Sequence, residues 1–194
     1  MNQSEIKQKV EEKISVLISD FRRTPEKFLT EEDIRAYLYH LLLTDFNNLE
    51  QTEDKQQSIP LHCEVRWYGS SKKLKYRSDI VIFDVSQLIT KKGGNIPLPS
   101  KGYGFNNPNA IIEIKLRRIN GKSNNKFNGD LVADRNKLKE LKNKVVEEEN
   151  EVWTYLIAFD KKNNINFQLE NTEKHKEYYV YSSAQLTQKP NKYK

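Results

Sequence analysis

Apolar residues at positions 6, 10, 14, 17 and 18 recur at helical spacing, so residues 4–22 are expected to form an amphipathic helix. Thr24-Pro25 ends it, because proline disfavours the helical conformation of the residue before it. Thr30 has the chemistry of an N-cap, and Glu31, Glu32 and Asp33 follow in the first turn, where the helix dipole favours anions. Ile34, Tyr37, Leu38, Leu41 and Leu42 then predict a second helix ending near Thr44.

A polar stretch over 47–58 reads as a loop. Beyond it, residues 62–68 alternate Cys63, Val65 and Trp67 against Glu64, Arg66 and Tyr68, the pattern of a half-buried strand. Residues 77–85 are apolar on both faces, with Ile80 and Ile82 on one side and Val81 and Phe83 on the other alongside Asp79, as in an interior strand. Four glycines and three prolines between about 86 and 108 forbid a regular element there and predict a long inserted loop. A strand over 110–116 follows, then a segment rich in Lys, Asn and Gly up to Gly129. A third helix is expected over 130–148, packed through Leu131, Leu138, Leu141 and Val145, then a buried strand over 152–159 and a last one over 178–181. This order predicts one α/β or α+β domain over residues 1–194, a mixed central sheet flanked by helices, with a tail that frays from about Lys189.

The two apolar runs carry the chemistry. In a strand, Glu113 and Lys115 of Glu113-Ile114-Lys115 point to the same face. With Asp79 on the preceding strand, two carboxylates and an ammonium can share one pocket. Such groups cost several kcal/mol to hold among apolar neighbours unless they are paired or bind a cation. A hard divalent cation takes oxygen ligands, often one or two carboxylates completed by water and phosphate oxygens, and Asp79 and Glu113 supply that set. Lys115 can then orient a water or stabilise charge on a phosphate, which makes phosphodiester hydrolysis the expected reaction class. Glu31, three residues before Ile34 and seven before Leu38, lies on the core side of its helix and is favoured over Glu32 as a further member; a dipole-stabilising surface Glu is the alternative. Simple ion pairs, Asp79 with Lys75 or Arg77 and Glu113 with Lys115 or Arg117, are the alternative for the central trio.

Composition adjusts this picture modestly. The 33 Lys and Arg residues against 27 Asp and Glu leave a net charge of +6, which favours a polyanionic partner. The single cysteine, Cys63, permits no intramolecular disulfide and is expected to pack; a reducing cytoplasm is the natural compartment. No segment approaches the roughly 20 apolar residues of a membrane span, so a soluble protein with no membrane partner is expected. His40, His62 and His175 lack metal-ligand spacing, and no GxxxxGK[ST] or GxGxxG stretch occurs, so metal ions rather than an organic cofactor are anticipated.

A helix with an acid in its first turn, a strand bearing Asp79, a strand bearing Glu113-Ile114-Lys115, then a helix and a strand, is similar to the core of the PD-(D/E)xK nuclease superfamily. The resemblance spans residues 30–159 and implies a restriction-endonuclease-like fold. It implies Asp79 and Glu113 as ligands for Mg²⁺ or Mn²⁺, Lys115 as the catalytic lysine, and Glu31 as an acid joining the site through the metal or its water. Ser78 stands where the named motif has Pro. The resemblance implies a metal-dependent nuclease, with an endonuclease and DNA rather than RNA favoured, and dimerisation fits it. Lys73, Lys75, Arg77, Arg117, Arg118 and Lys137 are the candidate contacts to nucleic acid phosphates, and Tyr103 and Phe105 could stack on bases. Asp130, Asp134 and Lys137 share a helix face, most simply a solvated one with internal ion pairs; a place beside the active site or on the substrate backbone is the alternative. Glu64 is expected in a cross-strand ion pair, with an accessory ligand as the alternative. The rival function is a non-catalytic nucleic-acid-binding or assembly module of the same fold.

Overall fold

The computed structural model describes residues 1–68, 71, 73–90, 107–144, 152–163 and 167–182. Helix α1 (Gln3–Arg23) starts at a capping box between Asn2 and Glu5 and turns Val10, Ile14, Leu17 and Phe21 fully inward. It stops at Thr24, and a short 3-10 turn, Pro25–Lys27, redirects the chain. Helix α2 (Glu31–Phe46) begins as the sequence predicts: Thr30 Oγ1 accepts from the Asp33 N–H at 3.1 Å while the Asp33 carboxylate accepts from the Thr30 N–H at 2.9 Å. Such a cap typically contributes about 1 kcal/mol. The stretch read as loop after α2 holds a minimal hairpin of β1 (Glu50–Gln51) and β2 (Gln57–Ser58).

The main sheet has five strands in chain order: β3 (Leu61–Tyr68), β4 (Leu74–Phe83), β5 (Pro108–Arg117), β6 (Trp153–Asp160) and β7 (His175–Tyr181). The first three run antiparallel, whereas β5, β6 and β7 are parallel, with helix α3 (Asn124–Lys144) making the crossover from β5 to β6. The sheet is therefore mixed, as predicted, and β4 and β5 are neighbours despite the long chain between them: Ile80 pairs with Ile112 and Val81 with Ile111. Alternate residues of the central strands face different layers. Ile80, Ile82, Ile112 and Ile114 pack with α1 and α2, whereas Val81, Phe83 and Ile111 pack with Phe127, Leu131, Leu138 and Leu141 of α3. Helices cover both faces, so every residue of β6 is buried, as a strand covered on two sides requires. Among the described residues, no helix is long and apolar enough to cross a membrane.

Two expectations about elements are corrected. Helix α3 starts six residues before Asp130, because Phe127 is buried among Val65, Trp67 and Leu131 and draws the Asn- and Lys-rich stretch into helix. The simple alternation along β3 also fails. Leu61 belongs to the core under α1 and α2, but Val65 and Trp67 belong to the core under α3, and Glu64 between them adopts a left-handed backbone with φ 56°. A one-residue break in parity reverses the faces of a strand. Cys63, expected to pack, is exposed. Val145, Tyr103, Phe105 and the tail from Lys189 lie outside the described residues.

Candidate active site

The site forms where two strands part. Beyond the Ile80–Ile112 pair, β4 continues against β3 as far as Leu74 and β5 continues against β6 as far as Arg117, with no further pairing between β4 and β5. Extending their register by one step sets Asp79 opposite Glu113. The Ile114 N–H freed by the parting is taken by Asp79 Oδ2 at 2.8 Å, so the carboxylate closes the end of the interrupted ladder. The other oxygen, Oδ1, lies 3.2 Å from Arg35 Nη1 of α2. Arg35 is held at the same time by Glu64 Oε1, and Glu64 Oε2 takes Arg77 Nη1 at 2.8 Å.

Glu113 and Lys115 both leave β5 toward α3. Glu113 is 1% exposed, and Lys137 Nζ of α3 donates to its Oε2 at 2.6 Å. Burial pushes the Glu113 carboxyl up to about 8; Lys137 opposes this, while the negative charges of Asp79 and Asp134 add to it. Lys115 Nζ reaches Glu31 Oε1 at 3.3 Å and stands 3.1 Å from Asp134 Oδ2, an ion pair rather than a well-formed hydrogen bond. Burial works against its charge, but Asp134, Glu31 and Asp79 outweigh burial and hold the ammonium protonated. Glu31 anchors its second oxygen on the Leu116 N–H at 3.1 Å. Its own carboxyl is raised, chiefly by burial, with Lys115 and Leu116 opposing and Asp79 adding. An acid from α2, one from α3, and two strand residues thus meet around one lysine.

The structure brings Asp79, Glu113, Lys115 and Glu31 together, draws Asp134 in beside them, and adds Arg35, which the sequence did not single out. Arg35 sits one turn after Glu31 on the same helix face, a spacing that could have signalled it. Asp134 is 9% exposed and bridges Lys115 and Lys137 instead of lining a solvated face. Glu64 does form the cross-strand pair, with Arg77. Asp130 remains apart, paired with Lys122.

The candidate phosphate contacts divide. Lys73, Lys75, Arg77 and Arg118 are exposed, although Lys75 engages Glu140. Arg117 is corrected: it is 1% exposed, grips Asp160 through Nε and Nη2 and Asn124 through Nη1, and stacks over Phe127. A guanidinium enclosed in this way cannot reach a phosphate. Lys137 is likewise committed inward, to Glu113, Asp134 and the Arg77 carbonyl.

Two observations bear on a metal ion. Among the described residues, no group of three or more His, Cys, Asp or Glu side chains surrounds a single metal position. Glu113 Oε1, however, is buried without a hydrogen-bond partner, a costly state for a carboxylate oxygen unless something electropositive meets it. Two carboxylates completed by water and phosphate oxygens match the habits of Mg²⁺, so Asp79 and Glu113 fit such an ion. Comparison with protein-family models, with curated proteins and with solved structures finds no match.

Proposed function

We propose that the protein is a metal-dependent nuclease that hydrolyses phosphodiester bonds, with DNA as the favoured substrate and internal cleavage the favoured mode. The observation that carries this reading is the meeting of Asp79, Glu113 and Lys115 at the point where β4 and β5 separate, with an unpartnered oxygen on Glu113. Mg²⁺ or Mn²⁺ held by Asp79 and Glu113 would supply Lewis acidity and a more acidic bound water.

The chain's own groups do the rest. Lys137 holds Glu113 by one oxygen and leaves the other buried without a hydrogen-bond partner. The Ile114 N–H fixes the orientation of Asp79. Lys115, protonated and paired with Glu31 and Asp134, would donate to a phosphate oxygen and stabilise the charge that grows there. Exposed Lys73, Arg77 and Arg118 on the flanking segments would meet the polyanion's backbone.

Incubation with plasmid, linear duplex, single-stranded DNA and RNA tests the proposal. Cleavage that requires Mg²⁺ or Mn²⁺ and stops with chelator supports it. Salt-sensitive binding without cleavage of any substrate would replace it with the non-catalytic module.

A further inference from the structure

Asp79 has one oxygen committed and one contested. Oδ2 is fixed on the Ile114 N–H, so the oxygen left for a cation is Oδ1, which faces Arg35 Nη1 at 3.2 Å. The same Nη1 already donates to Glu64 Oε1, and Arg35 Nη2 lies 3.9 Å from Glu32. Arg35 can therefore give up Asp79 and stay paired. Glu64 has an uncommon left-handed backbone, φ 56°, opposite Asp79, and Arg77 secures its second oxygen.

We infer that Arg35 is a displaceable counter-ion that competes with a divalent cation for Asp79 Oδ1, and that Glu64 is the anchor onto which Arg35 retreats when the cation binds. The inference rests on the reading of Asp79 and Glu113 as the metal pair. In the metal-free protein, Arg35 neutralises a carboxylate that is mostly shielded from water. When the ion arrives, its charge replaces that of Arg35, and Arg35 shifts wholly to Glu64 without being left unpaired. Glu64 then acts on the metal through Arg35, as a positioning residue.

Titration of the intact protein with Mn²⁺, read as free ion by electron paramagnetic resonance, tests this without any cleavage. Arg35→Met is expected to tighten binding by about tenfold or more, because a full charge beside a divalent ion is removed. Glu64→Gln is expected to weaken binding severalfold, since Arg35 then falls back on Asp79. The double variant is the decisive arm: if Glu64 acts through Arg35, Glu64→Gln changes little on the Arg35→Met background, whereas independent charges would add. Unchanged or weaker binding by Arg35→Met, or additive effects in the cycle, overturns the inference while leaving a nuclease intact. Absence of Mn²⁺ binding in both the parent and Arg35→Met removes the metal pair and the inference together. The predicted pattern in a protein that cleaves nothing would sustain the inference and remove the nuclease.

Discussion

At the scale of single residues, partners decide what a charge does. Arg117 follows Lys115 by two positions and reads in the sequence as one more basic residue beside the site, yet its partner is Asp160, far along the chain and on the neighbouring strand β6. Arg117→Ala strands a buried carboxylate and is expected to destabilise the fold by about 3–5 kcal/mol in urea titration. Affinity for nucleic acid, measured where the variant remains folded, should stay unchanged. Asp134 was obscured for the same reason, since its i,i+3 pair with Lys137 looks like ordinary surface chemistry until α3 docks on β5. Glu177 gives a test in pH. Burial alone would raise its carboxyl, but His175, Arg135 and the Glu170 N–H together hold it down to about 2, below the ordinary 4.5. A depressed folded-state value means the native state binds fewer protons, so this stabilisation is complete above pH 4.5 and disappears as pH falls toward 2. Stability of Glu177→Gln, followed by urea midpoint from about pH 5 to 3, is expected to fall less steeply than that of the parent.

At the scale of elements, strong local signals were readable and compensated ones were not. The apolar spacing of α1 and the Thr30 cap of α2 are local and appear where the sequence placed them, within about two residues. The first turns of α3 lack such signals: Asn124, Asn125 and Gly129 are poor helix formers, and tertiary burial of Phe127 overrides them. A methyl group added at Gly129 would meet no neighbouring atom within 4 Å, so Gly129→Ala is expected to stabilise by about 0.5–1 kcal/mol, readable as a raised thermal midpoint. The face reversal in β3 was invisible because alternation assumes a regular backbone, which the left-handed Glu64 breaks. That irregularity lies opposite Asp79, so the departure from pattern coincides with the candidate site.

At the scale of the whole molecule, one topological fact organises everything. The antiparallel strands β3 to β5 and the parallel strands β5 to β7 share β5, and its C-terminal half leaves β4 just past the Ile80–Ile112 pair, beside Asp79 and Glu113. Helices from both layers deliver Glu31 and Asp134 to that gap. The sequence disclosed the trio and the adjacency it requires, while the cations that occupy the acids, Arg35 and Lys137, depend on layer packing that no local pattern encodes. The most direct measurement compares cleavage of supercoiled and linear DNA by the parent protein and by Lys115→Met in Mg²⁺, at protein concentrations that give equal DNA occupancy. A metal-dependent parent activity that Lys115→Met lowers by at least about a hundredfold, on the order of one lost transition-state donor, is the predicted result. Undiminished cleavage by Lys115→Met, or no cleavage by the parent with any divalent ion, would contradict it.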